Sequence, residues 1–139
     1  MSDHYEVVFS CFLRSDTPAS VLEALRWHVG MEDNRPHDLD RGDHPYPSLL
    51  PGGRRLPGGD IVCLRRTVQE LTASGEPHAW ELFVRMEWID DLTLQLDALL
   101  ELIAPHVAQQ GYGGHIRDEY ALDVKTFNFH DGTYDRIEL

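Results

Sequence analysis

Residues 79–89 read AWELFVRMEWI: Trp80, Leu82, Val84, Met86 and Trp88 point one way, and Glu81, Phe83, Arg85 and Glu87 the other. A period of two held over this length marks a strand with one buried face. Upstream, residues 60–71 (DIVCLRRTVQEL) read as a second strand, joined to the first by a turn containing ASGEP. Residues 5–13 alternate in the same way, with Tyr5, Val7, Phe9, Cys11 and Leu13 on one side and Glu6, Val8, Ser10 and Phe12 on the other. After them Thr17-Pro18 opens a helix over 18–29, where Val21, Leu22, Leu25 and Val29 recur at helical spacing until Gly30 stops the run. Downstream of 89, Asp90 or Asp91 caps a second helix striped by Leu92, Leu96, Leu99, Leu100, Ile103 and Val107, with a kink or early end at Pro105. Two extended segments follow, GHIRDEY and LDVKTFNF, and then Asp131-Gly132, a hairpin signal.

Strand, helix, two strands, helix and strand predict an α+β fold, a ferredoxin-like βαββαβ two-layer sandwich with an antiparallel sheet and both helices on one face. A long loop over 31–59 and an extra C-terminal β-hairpin over 121–139 complete a single expected domain, 1–139. Either HIRDE or VKTFNF can serve as the fourth main strand. The sheet face away from the helices would carry Val8, Phe12 and Phe83 among charged residues, and the second helix shows a further stripe of Leu94, Ala98 and Leu102. Surplus apolar surface of this kind predicts a homodimer through the open sheet face.

Acids outnumber bases by 24 to 12, the formal net charge is -12, and Lys125 is the only lysine. Gripping a phosphate backbone needs clustered cations, so neither nucleic acid nor an anionic membrane is an expected partner. No apolar run approaches the thickness of a bilayer and no export signal is legible, which makes the cytoplasm the expected compartment. Cys11 and Cys63 lie in apolar runs and read as inert core thiols.

Residues 31–59 hold five of the eight prolines and five of the eleven glycines. A connection this long within a compact domain tends to be functional or disordered. Its acidic half fails as a calcium loop, because Gly42 and Asp43 are in the wrong order and Leu49 replaces the bidentate acid; His37 and His44 fit no closed zinc spacing. LLPGGRRLPGG fails as a phosphate loop, since Gly59 and Asp60 stand where Lys and Ser or Thr are required. No metal site and no cofactor are therefore expected. What remains is a flap whose Tyr46, Leu49, Leu50 and Leu56 could close over a cleft, hinged at the glycine pairs 52–53 and 58–59.

GHIRDEY offers the best chemistry. With Ile116 and Tyr120 turned to the core, His115, Arg117 and Glu119 share the other face, beside Glu6 and Ser10 if this strand neighbours the first, with Arg85 and Glu87 one strand further. A histidine among carboxylates and an arginine suit proton transfer on a small carbonyl or carboxylate compound, so these three are the catalytic candidates. The same residues would equally serve as cross-strand ion pairs at a dimer contact. Trp27, His28, Tyr46, Trp80, Arg85 and Trp88 are the candidate substrate-binding residues. The leading expectation is thus a homodimer that binds a small anionic or carbonyl-containing molecule between sheet, helices and loop 31–59. One alternative is an acidic, inhibitor- or immunity-like module that covers a basic partner. Another is a metal-dependent enzyme built on His37, Asp40 and His44.

Overall fold

The computed structural model describes residues 4–71, 77–89, 93–118 and 123–139. The order is β1 (His4–Arg14), α1 (Ala19–His28), β2 (Ile61–Leu71), β3 (Pro77–Ile89), α2 (Thr93–Ile103), a 3-10 turn (Ala104–His106), β4 (Gly111–Asp118), β5 (Val124–His130) and β6 (Thr133–Glu138). All six strands form one sheet in the order β2-β3-β1-β4-β5-β6, and every neighbouring pair is antiparallel. The 3-10 turn carries Pro105, where α2 ends early. Residues 73–76 of the expected ASGEP turn, the Asp90 or Asp91 cap, Glu119 and Tyr120 lie outside the described residues, and Pro77 already belongs to β3.

The ferredoxin-like βαββαβ sandwich expected from the element order is corrected. Among the described residues the chain is mostly sheet, six strands wide, with only two short helices of 10 and 11 residues. The extra width has a packing cause. Phe127 and Phe129, two residues apart on β5, are both fully buried, and Phe127 stacks on Phe9 at 5.9 Å between ring centroids. Burying a phenylalanine contributes roughly 1.5–3 kcal/mol, enough to draw the C-terminal segments into the sheet beside β4. The hairpin thus continues the sheet, and Asp97 of α2 fastens it by accepting from Tyr134 Oη at 3.0 Å and pairing with Arg136 at 3.6 Å. Asp131 and Gly132 have φ of 49° and 77°, the left-handed pair that a two-residue hairpin turn needs.

The core lies between the helices and one sheet face, where Val7, Phe9, Leu13, Leu82, Val84, Met86 and Trp88 meet Leu22 and Leu25 of α1 and Leu96, Leu99, Leu100 and Ile103 of α2. Of the second α2 stripe, Ala98 is buried and Leu102 packs on the core, while the Leu94 side chain lies outside the described residues. Residues 31–59 contain no helix or strand, yet they are fastened at both ends. Leu49 is buried, its N–H donates to His28 O at 3.1 Å, and Trp88 Nε1 donates to Ser48 O at 3.2 Å. At the far end the Asp60 carboxylate accepts from the N–H groups of Gly52, Gly53 and Glu87, so the first glycine pair is clamped to β3. Cys11 packs against the core, where burial pushes its thiol up to about 12. Cys63 pairs with Phe83 and therefore faces the open side, which corrects its reading as a core thiol.

Candidate functional site

Strand alternation carries Glu6, Val8, Ser10 and Phe12 of β1, and Glu81, Phe83, Arg85 and Glu87 of β3, to the face away from the helices. On the other side of β1, β4 sets Arg117 opposite Glu6 and His115 opposite Val8. The side chains converge on Glu6, which is only 9% exposed. Its Oε1 accepts from Arg117 Nε at 2.8 Å and His115 Nε2 at 3.1 Å, and its Oε2 accepts from Arg85 Nε at 3.2 Å. Burial by itself would raise the Glu6 pKa. The hydrogen bonds from Arg117 and His115, the charge on Arg117 and the bond from Arg85 outweigh it and hold the carboxyl at about 2.

An ionised carboxylate has no proton to give, so His115 Nε2 must carry the proton of that bond. In the neutral ring Nδ1 is then an acceptor, and Tyr112 Oη lies 2.9 Å from it. Burial, and then the charge on Glu6, raise the Tyr112 pKa, so the phenol stays protonated and donates. The result is a directed chain from Tyr112 through His115 to Glu6.

Simple alternation would put Tyr112 on the core side with Ile116. A bulge between Tyr112 and Gly114 inserts Gly113 and reverses the phase, so that Tyr112 pairs with Asn128 on the open side. Both glycines are required. A Cβ on Gly113 would lie 2.0 Å from the Phe129 ring, and one on Gly114, at φ 142°, would lie 2.0 Å from Val8 O. The signal available in the sequence was GYGG, two adjacent glycines in a segment that otherwise reads as strand.

Beside the charged cluster is an open groove of about 540 Å³ lined by Ser10, Phe12, Glu81, Phe83, Gln110 and Tyr112, among others. Tyr112 belongs to both: its ring borders the groove and its hydroxyl reaches His115. At the other edge of the face Arg55 pairs with Glu87 at 3.3 Å and Arg85 Nη1 donates to Pro57 O at 2.7 Å. The end of the 31–59 segment therefore borders the same surface.

The candidate residues divide between the two sides of the sheet. His115, Arg117 and Arg85 meet at Glu6, whereas Glu119 lies outside the described residues. Trp27 and His28 are buried on the α1 side, and Trp80 and Trp88 face the core from β3. Tyr46 is exposed on the 31–59 segment. The two groups do not line one cavity. His37 and Asp40 are exposed, while His44 is buried against His28, and among the described residues no group of three or more His, Cys, Asp or Glu could hold a metal ion. No helix among them is long and apolar enough to cross a membrane. Comparison of the chain with protein-family models, curated proteins and solved structures finds no match.

Proposed function

We propose that the open sheet face binds a small carbonyl-containing molecule, its apolar body in the groove between Phe12 and Phe83 and its oxygen accepting the single Tyr112 O–H, which turns from His115 Nδ1 to the ligand on binding. One observation carries this reading: the Tyr112 hydroxyl stands at the junction of an apolar groove and a fixed His115–Glu6 pair. Arg85 and Arg117 direct their Nε groups to Glu6, and no cation is among the groove residues. That favours a neutral carbonyl over an anion as the ligand. The arginines act as positioning residues, fixing the carboxylate that fixes the imidazole. Phe12, Phe83 and Tyr112 are each more than a third exposed on this face. A second copy stacked on it by a two-fold axis would roof the groove and exclude water.

Calorimetric titration with acetophenone, a neutral aromatic ketone, and phenylacetate, an anion of similar size, tests the ligand. Acetophenone is expected to bind more tightly, and Tyr112→Phe to weaken it by roughly 5-fold, the worth of one neutral hydrogen bond once water takes up the freed His115 Nδ1. Tighter binding of phenylacetate, or no effect of Tyr112→Phe, would overturn the assignment. The roof is tested by solution mass: a dimer is expected for the native chain and a monomer for Phe83→Glu, while a native monomer would refute it.

A further inference from the structure

We infer that the buried His28–His44 pair is an acid-operated latch that holds the 31–59 segment to α1. His28 Nε2 and His44 Nδ1 are 2.9 Å apart, and Ser48 N–H donates to His28 Nδ1 at 3.0 Å. The backbone donor settles the tautomer: Nδ1 of His28 is bare, Nε2 carries the proton, and Nδ1 of His44 accepts it. A second proton on His28 would set an N–H against the Ser48 N–H. A proton on His44 Nδ1 would set one against His28 Nε2–H. Either event breaks one of the bonds that tie the segment to the helix.

The surroundings give such a charge little help. His28 has no exposed surface, and Arg35, already a cation, lies over the Trp27 ring at 4.4 Å and donates Nη2 to the carbonyl of His44. Arg35 Nη1 is buried with no partner among the described residues, so a further donor there adds to an unpaired one. The carboxylates facing His44 are Asp43 and Asp40 of its own segment and Glu101 of α2, and among the described residues none hydrogen-bonds either imidazole. Burial, followed by the charges of His44 and Arg35, lowers His28 to about 3. His44 is lowered by burial and Arg35 against the pull of those three acids.

The sign follows from the direction of the shifts. A released His28 titrates at its ordinary 6.5 and a latched one at about 3, so between those values the released state binds more protons. The latch is therefore at full strength above pH 6.5 and weakens as pH falls, each unit favouring release by about 10-fold through His28 alone. Release is confined to the part of the segment before Gly52, because Pro57 O on Arg85 and Arg55 on Glu87 lie within the loop that the Asp60 carboxylate closes on Gly52 and Gly53. The Asp60 clamp contains no histidine and keeps the far end attached.

Imidazole nitrogen NMR of the intact chain, recorded from pH 7.5 to 3.5 with the Ser48 and Leu49 amides followed in parallel, tests this. The expected result is bare Nδ1 on both rings at neutral pH, then protonation below 6.5 that coincides with reversible displacement of both amides. His44→Asn, which keeps an acceptor at the same place but cannot titrate, should retain the closed amide positions to lower pH. Ordinary titration near 6.5 with unmoved amides would overturn the latch, as would amides that hold their positions until the whole chain unfolds.

Discussion

Gly114→Ala is expected to destabilise the protein by about 3 kcal/mol and to lower its melting temperature by roughly 10 °C. The added methyl would lie 2.0 Å from Val8 O and 2.9 Å from the Val8 carbonyl carbon, both backbone atoms of the adjacent strand, and the residue would be held at φ 142°. No rotamer relieves a clash between Cβ and backbone, so β1 and β4 must separate where Val8 faces His115. Thermal unfolding by circular dichroism measures the loss. Gly111→Ala is the useful comparison: its φ of 108° is also strained, but nothing lies within 4 Å of a Cβ there. If the two variants melt together, strain alone is responsible and the contact with Val8 carries no weight.

The second large effect is expected at Glu6. Glu6→Gln removes the charge on which Arg117, His115 and Arg85 converge and leaves their donors only an amide, one end of which cannot accept. Breaking a buried ion pair by removing one partner costs about 3 kcal/mol, and chemical denaturation should show a loss of that order. The pH dependence identifies its source. The folded Glu6 pKa is lowered from 4.5 to about 2, so the contribution is fully present above 4.5 and is lost as pH falls toward 2. The native chain should lose this increment across that window, and Glu6→Gln should lack it. Equal acid profiles for the two would show that the cluster contributes nothing through Glu6.

Strand alternation made much of this face legible. The segments 5–13 and 79–89 alternate without interruption, and their two sides separate in the structure as the period of two requires, with Glu6, Ser10, Arg85 and Glu87 away from the helices. His115 and Arg117 followed because Ile116, between them, turns to the core. Four things were not legible. Tyr112 is on the open face only because one inserted residue reverses the phase of β4, and a bulge depends on contacts with Phe129 and Val8 that are distant in sequence. Glu6 looked like one charge among several, since its central role arises from neighbours contributed by two other strands. The width of the sheet is not legible because HIRDE and VKTFNF read as alternatives for a single fourth strand, whereas β4 and β5 both join the sheet and Phe127 and Phe129, spaced i, i+2, are buried in the core. His28 and His44 lie 16 residues apart across an irregular segment, and no periodicity could bring them together.

Whether the groove beside Tyr112 takes a carbonyl compound decides the role of the open sheet face. The most direct measurement is an amide and side-chain NMR titration of the isotope-labelled chain with acetophenone, mapped onto the two faces of the sheet. Saturable shifts are expected at Ser10, Phe12, Phe83, Tyr112 and His115, with the core-facing Trp80 and Trp88 unchanged. Shifts centred on the helix side, or none at saturating ketone, would contradict the assignment of the open face as the binding site.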